Sequence, residues 1–503
     1  MIEWLRRLGQ PWEAGIILGH GRLYSEPRKW ERPIVLPDRL ENKHGVLWGK
    51  SGMGKSRELY PIVMQKIRLG ETVFLFDSHN GWLHVLDAIG QEIGPEELGD
   101  RLCVIDPSCV EYGVVGLNVL ELEPGLEIFG VVEELVSAFK SIWADSFGDR
   151  MADLIRHSCW TLAEHGLTLQ SFTRLLSDAP FRRGLVSGLK SEESKVFWRD
   201  HFESLRKGDQ AYIIESSRNK VSALMLNPYA KLMLAQKKST VRFRDLINHP
   251  RGGIILVHVS RNHLKTDQQR LLGALIFSKL YMAILARERI PEAERRPVNI
   301  FLEEASEIYN PDSVLNILSG ARKLQIILWL CFQSIAQLAQ RDVSLILNGA
   351  AVNIVFCCTR EEAQRLIGIF NFSGTHVKNE ERDIFGTKGR PTYYSVQEEQ
   401  ENALRELTTQ RGQEFYVRIV GDDSDEPYIG TAEFVEYPPV DEELRAQLRK
   451  LSASFYMRPY DKVLREIEQQ SFGGEERAGY NESESFNQKS TNGRKKTGKD
   501  FKD

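Results

Sequence analysis

Eight consecutive residues, Gly49-Lys50-Ser51-Gly52-Met53-Gly54-Lys55-Ser56, constrain this chain more than any other stretch. They fit the pattern G-x-x-x-x-G-K-[ST] at every fixed position. Glycines at these places let the backbone turn tightly, so that successive N–H groups converge on one point, and a helix starting there adds the partial positive charge of its N-terminus. Such a cradle suits phosphate. The apolar run 44–48 before the loop predicts a short buried strand, and residues 57–69 after it predict a helix. Lys55 is then expected to reach the β and γ phosphates of a nucleotide, and the Ser56 hydroxyl to ligate Mg²⁺. At ordinary residue frequencies a chance match in a chain of 503 residues is expected on the order of 0.02 times, so a glycine-rich loop that binds nothing is the weaker alternative.

The loop sits in an alternation of strands and helices. Residues 71–81 read as a buried strand ending in the polar turn Phe76-Asp77-Ser78-His79-Asn80-Gly81. Strand, loop, helix and strand make a βαβ unit, and ligands of such sheets gather at the carboxyl ends of strands. Asp77 and His79 are thereby placed near the loop, although Asp77 alone reads as a turn or cap residue. Further strands are expected at 102–105, 253–259, 297–305, 324–330 and 351–357, with helices at 267–287 and 360–369. The strand 297–305 ends in Glu303 and Glu304. A nucleoside triphosphatase needs such a pair, one acid for the Mg²⁺ shell and one to orient or activate the attacking water. The competing reading is that both merely begin a helix, where acids are favoured. Gln333, at the end of the strand 324–330, suits a group that hydrogen-bonds the γ-phosphate or the water. Arg322, just before that strand, is by itself a surface arginine. The stretch 378–390 reads as a mobile polar loop, and 414–420 with 428–434 as an edge hairpin.

Between 124 and 236 the pattern changes to apolar residues at helical spacing, with helices expected at 127–143, 150–164, 169–177, 181–189 and 192–205. The fold class is therefore α/β, a mainly parallel central sheet with an inserted all-α domain. The expected division is an N-terminal segment 1–40, the core in two parts at 41–123 and 237–435, the insertion at 124–236, a helical segment 436–467 and a disordered polar tail 468–503. Lys190, Lys195, Arg199, Arg206, Lys207, Arg218 and Lys220 dot the insertion, but glutamates intersperse them, as on a solvated face. The tail's basic tip, 494–499, reads as solubilising, the weaker alternative being contact with nucleic acid or an acidic partner.

Net charge of −4 gives no global basic field, so any nucleic-acid contact must come from a local patch or from a ring made by assembly. Six cysteines without a C-x-x-C pair read as reduced thiols of a cytoplasmic protein. The first residues lack the apolar stretch of a signal peptide. No apolar run approaches the roughly 18 residues of a membrane span, the best being 326–332.

Taken in order, GKSGMGKS, the strand ending FDSHNG, the helical insertion, NIFLEEA, GARK and the strand leading to Gln333 resemble the HerA/FtsK class of ring-forming DNA motors. The likeness is strongest to the coupling proteins of conjugative type IV DNA transfer, over roughly 40–435. It implies a RecA-like P-loop NTPase core, homo-hexamers, and ATP with Mg²⁺ bound between neighbouring subunits. Lys55 and Ser56 would bind phosphate and metal, Glu303 would take the metal-shell position usually held by aspartate, and Glu304 that of the catalytic glutamate. Gln333 would be the sensor and Arg322 the finger offered to a neighbour's γ-phosphate. The membrane helices of many coupling proteins have no counterpart. The function implied is an ATP-driven motor threading DNA through a pore by sequence-independent backbone contacts. The alternative is a nucleotide-controlled platform that recruits a nuclease, a relaxase or a secretion-system partner with slow or no hydrolysis. Pulling on protein instead of DNA is a third reading that no residue selects.

Overall fold

The computed structural model describes residues 15–26, 31–40, 43–308, 310–374, 376–382, 388–422, 426–432 and 437–472. Its strands, in chain order, are β1 (Gly15–Leu23), β2 (Arg32–Pro37), β3 (Gly45–Trp48), β4 (Thr72–Asp77), β5 (Leu102–Ile105), β6 (Val114–Val115), β7 (Ile254–His258), β8 (Val298–Leu302), β9 (Ile326–Phe332), β10 (Val352–Phe356), β11 (Val377–Arg382), β12 (Lys388–Tyr393), β13 (Glu414–Ile419), β14 (Tyr428–Thr431) and β15 (Met457–Arg458).

Continuous apolar strands such as TVFLFD, IILVH and IILWLCF cannot leave a face in water, and they form a parallel sheet covered on both sides. The sheet has 11 strands in the order β2-β1-β14-β13-β10-β3-β9-β8-β4-β7-β5. Pairing is parallel from β5 across to β10 and antiparallel from β10 out to β2. Because side chains alternate along a strand, β4 and β9 feed two separate layers. Phe74, Phe76, Ile326, Leu328, Leu330 and Phe332 join one buried cluster. Val73, Leu75, Ile327, Trp329 and Cys331 join the other, with the helices Lys55–Arg68 and Trp82–Glu92.

Every described element between β6 and β7 is helical. These helices are not cored by themselves. Val131, Val132, Leu135 and Phe139 of the helix Ile128–Ile142 share the first cluster with Leu271, Leu275 and Phe277 of the helix Thr266–Leu285. That helix also corrects the membrane-length reading. The stretch Thr266–Arg289 is long and apolar enough to cross a membrane, although Ser278 and Lys279 interrupt its apolar run, and 83% of its most apolar window is buried inside the protein.

Three other expectations change. The hairpin of β13 and β14 forms but is not an edge, because β1 pairs with β14 and β2 lies outside β1, so the N-terminal segment completes the sheet. The stretch read as a mobile loop is a two-stranded ribbon of β11 and β12, with 383–387 outside the described residues. The last helix, Tyr460–Phe472, runs past 468, and the rest of the expected tail lies outside the described residues. At the opposite edge the helix Glu442–Tyr456 covers β5, where Val104 N–H donates to Ser452 Oγ at 2.8 Å. All six cysteines are free thiols, and five are buried.

Candidate functional site

The loop leaves β3 pinned on both sides. Gly49 N–H donates to Phe332 O at 3.2 Å and Lys50 N–H to Cys357 O at 3.0 Å, so β9 and β10 fix its start. Gly49 has φ 150°, and a Cβ there would lie 2.7 Å from that of Phe356. Gly54, at φ 114°, caps the helix Lys55–Arg68, and a Cβ there would lie 3.0 Å from Gln413 Cα. Lys55 opens that helix nearly buried, its ammonium donating to Gly49 O at 2.6 Å and Lys50 O at 3.0 Å. Burial lowers its pKa, and Glu304 and Glu303 oppose that shift.

The acids arrive from the sheet. Glu303, in the turn after β8, is fixed by its own N–H to Phe76 O at 3.0 Å. Its Oε1 accepts from Ser56 Oγ at 2.6 Å, and its Oε2 lies 3.4 Å from His79 Nδ1. Burial pushes its carboxyl up, but the hydrogen bonds from His79 and Ser56 and the positive charges of His79 and Lys55 bring it below the ordinary value. Glu304 is only 4% exposed. Burial raises it, the charge of Glu303 adds to that, and hydrogen bonds from Ser306 and Gln333 with the Lys55 charge only partly oppose it. Neighbouring carboxyls driven in opposite directions are the arrangement that separates a charged ligand from a proton-accepting group. Gln333, just past β9, reaches Glu304 because β9 lies between the loop strand β3 and the acid strand β8.

Asp77 behaves as the turn residue. Its carboxylate accepts from His79 N–H and Trp82 N–H, both at 2.5 Å, and from Tyr60 OH at 3.0 Å, which leaves it little capacity for a ligand. Burial and the Glu303 charge raise its pKa. The turn it closes aims His79 at Glu303, and the Glu303 hydrogen bond raises the imidazole pKa.

Lys55, Ser56, Glu303, Glu304 and Gln333 meet in one cleft of about 540 Å³, with Ser51, Gly52 and Gly54 of the loop in its wall. Gly49, Lys50 and Met53 shape the loop without lining that cleft. Arg322 is on the helical turn Ala321–Leu324, and its side chain lies outside the described part of the structure. The cleft wall also holds residues that sequence reasoning passed over: Tyr60, His84, Gln413 and Tyr437. Gln413, at φ 77°, turns the chain into β13, and its N–H donates to Met53 O at 2.7 Å. His84 and Tyr437 stack with centroids 4.0 Å apart. The dipeptide Gly412-Gln413 before an apolar run was the one available signal.

No protein-family sequence model matches the chain, and no curated protein sequence does. Solved structures share the fold. The plasmid coupling protein TrwB with the GTP analogue GDPNP aligns at TM-score 0.57 and 16% identity, over 85% of this chain and 97% of that one. TrwB with ADP and Mg²⁺ aligns at TM-score 0.55 and 15% identity, over 86% and 96%. VirB4 of Thermoanaerobacter pseudethanolicus aligns at TM-score 0.51 and 11% identity, over 84% and 97%. The likeness runs through almost the whole of each neighbour, and the fold is the RecA-like P-loop architecture with a mainly parallel sheet.

Proposed function

We propose that the chain is an ATPase that works as a ring-shaped motor on DNA. The observation that carries the nucleotide part is the meeting of Lys55 and Ser56 with two carboxyls of opposite electrostatic character at the carboxyl ends of β3, β8 and β9. The fold shared with TrwB, solved with ADP and Mg²⁺ and with nucleotide analogues, supports ATP as ligand. Loop N–H groups and Lys55 hold the phosphates. Ser56 Oγ and Glu303 Oε1, 2.6 Å apart, are hard oxygen donors that fit Mg²⁺. When bound, the cation neutralises charge on the β and γ phosphates. Glu304, with its raised pKa, accepts the proton of the attacking water, and Gln333 orients that water. Arg322 serves the γ-phosphate of a neighbouring copy in a homo-hexamer, and DNA passes through the ring by contacts to its backbone. A cytoplasmic place is part of the same proposal.

One observation favours a slower variant of this reading. Glu303, a methylene longer than aspartate, already holds the Ser56 hydroxyl, as a platform that binds nucleotide and recruits a nuclease, a relaxase or a secretion component would tolerate. Turnover of ATP with and without single- and double-stranded DNA separates the two, beside light scattering with and without nucleotide and a Lys55→Ala control. DNA-stimulated turnover lost in the variant supports the motor. Stable rings without turnover support the platform, and turnover indifferent to every form of DNA overturns the motor.

A further inference from the structure

Among the described residues one group of metal-ligand side chains comes together, Asp77, His79 and Glu303, with one ligand atom of each within 4.8 Å of the others. Two of the three are available. Asp77 spends its carboxylate on the N–H groups of His79 and Trp82 and on the Tyr60 hydroxyl, so it acts as a positioning residue. His79 Nδ1 and the two oxygens of Glu303 are aimed at one another, and Ser56 Oγ lies on the far side of the same carboxylate. Ser56 Oγ stands 2.6 Å from Oε1 and His79 Nδ1 3.4 Å from Oε2, each within about 0.5 Å of the spacing of about 3 Å between adjacent ligands on a six-coordinate ion with bonds near 2.1 Å, so an ion held by the whole carboxylate meets both. The other neighbour of Nδ1 is the Ser78 hydroxyl at 3.2 Å, which rotates away without moving the backbone. The His79 side chain is 51% exposed, so an ion reaches it from solvent.

We infer that His79 Nδ1, releasing to solvent the proton it shares with Glu303, joins Ser56 and Glu303 as a direct ligand of the divalent cation, giving a mixed nitrogen and oxygen site that favours Mn²⁺ and similar transition ions over Mg²⁺. The reason is chemical. Mg²⁺ holds oxygen and water and gains little from an imidazole, whereas first-row transition ions accept it readily. The inference rests on the nucleotide reading above and goes beyond it, since that reading needs only the oxygen donors.

The test uses the full chain with ADP and Mn²⁺. Pulsed electron paramagnetic resonance of the bound Mn²⁺ reports any nitrogen in direct ligation. The expected spectrum of the wild type shows imidazole nitrogen coupling, which disappears in His79→Gln and His79→Ala and persists in His84→Ala, the other histidine of the cleft. In parallel, the ratio of Mn²⁺ to Mg²⁺ affinity, read by calorimetry in the presence of ADP, should fall at least about tenfold in His79→Gln. Bound Mn²⁺ without nitrogen coupling in the wild type, or coupling that survives the loss of His79, overturns the inference and leaves the nucleotide reading standing. Absence of any ADP-dependent Mn²⁺ binding that Lys55→Ala removes overturns both. Because the wild-type spectrum alone decides the first point, a variant that fails to fold does not shield the proposal.

Discussion

From β5 across to β10 the sheet is parallel and every strand residue is buried, whereas from β13 out to β2 it is antiparallel and every strand keeps partly or fully exposed residues. The parallel part presents Lys55, Ser56, His79, Glu303, Glu304 and Gln333, all just beyond the carboxyl ends of its strands, in the turns there or at the helix start after the loop. The segments flanking the antiparallel strands supply wall rather than chemistry: Gly412 and Gln413, the latter with a main-chain bond to the loop, and Tyr437. Chemistry and closure are thus encoded apart. One depends on the side chains at a few motif positions, the other on the pairing of two ends of the chain.

If that division is right, substitutions on the two sides should fail in different assays. The largest effect expected is in Glu304→Gln, where turnover should fall about 10²- to 10⁴-fold with ADP affinity nearly unchanged. Lys55→Ala should lower nucleotide affinity about 100-fold or more, as titration of a fluorescent nucleotide would report, while the circular dichroism spectrum stays as it was. On the antiparallel side, a Cβ at Gly21 would lie 2.1 Å from Ile429 O, so Gly21→Val should cost about 1–3 kcal/mol in urea unfolding. Nucleotide affinity measured well below the unfolding transition should hardly move. A large loss of affinity there would break the comparison. Gln413→Gly relieves a left-handed backbone and should gain roughly 1 kcal/mol.

The smallest effect is in pH. Glu304 has a folded pKa above its ordinary 4.5, so the stability it contributes is whole below that value and is lost as pH rises through the raised one. Glu303, held below 4.5, contributes above it and loses the contribution as pH falls through its lower folded value. Melting temperatures across the pH range should therefore decline less on the alkaline side in Glu304→Gln and less on the acid side in Glu303→Gln.

Much of the parallel half was legible because most of its strands announce themselves twice, as a largely apolar run and by the polar group where it ends. The phosphate loop, the acids after β8 and Gln333 after β9 all carry that signature. In the antiparallel half the hairpin of β13 and β14 was legible as two strands, but β1 and β2 carry neither sign. β1 contains Gly15, Gly19 and Gly21, whose missing side chains let neighbouring backbone approach, and the same glycines dilute its apolar pattern. The ribbon of β11 and β12 has a polar sequence and reads as a loop, although its backbone pairs. His79 was seen near the loop, but its partner was not, because Glu303 is 224 positions away. The helix Thr266–Leu285 was recognised as a helix and not as the most deeply packed one, since Ser278 and Lys279 break its apolar run. Their polar groups are buried too, and Lys279 Nζ donates to Glu121 O at 2.9 Å.

The position of β3 also sets a schedule. Its two neighbours, β9 and β10, lie far downstream, and His44, just ahead of it, accepts a hydrogen bond from Leu328 N–H across 284 positions of sequence. As the chain leaves the ribosome, the phosphate loop emerges early and waits for most of the protein before it has a sheet to stand on. Contacts this distant form late and slowly. Nucleotide capture is thereby reserved for the nearly finished molecule, and truncated products ending before β9 should be blind to ATP even though they carry the whole motif.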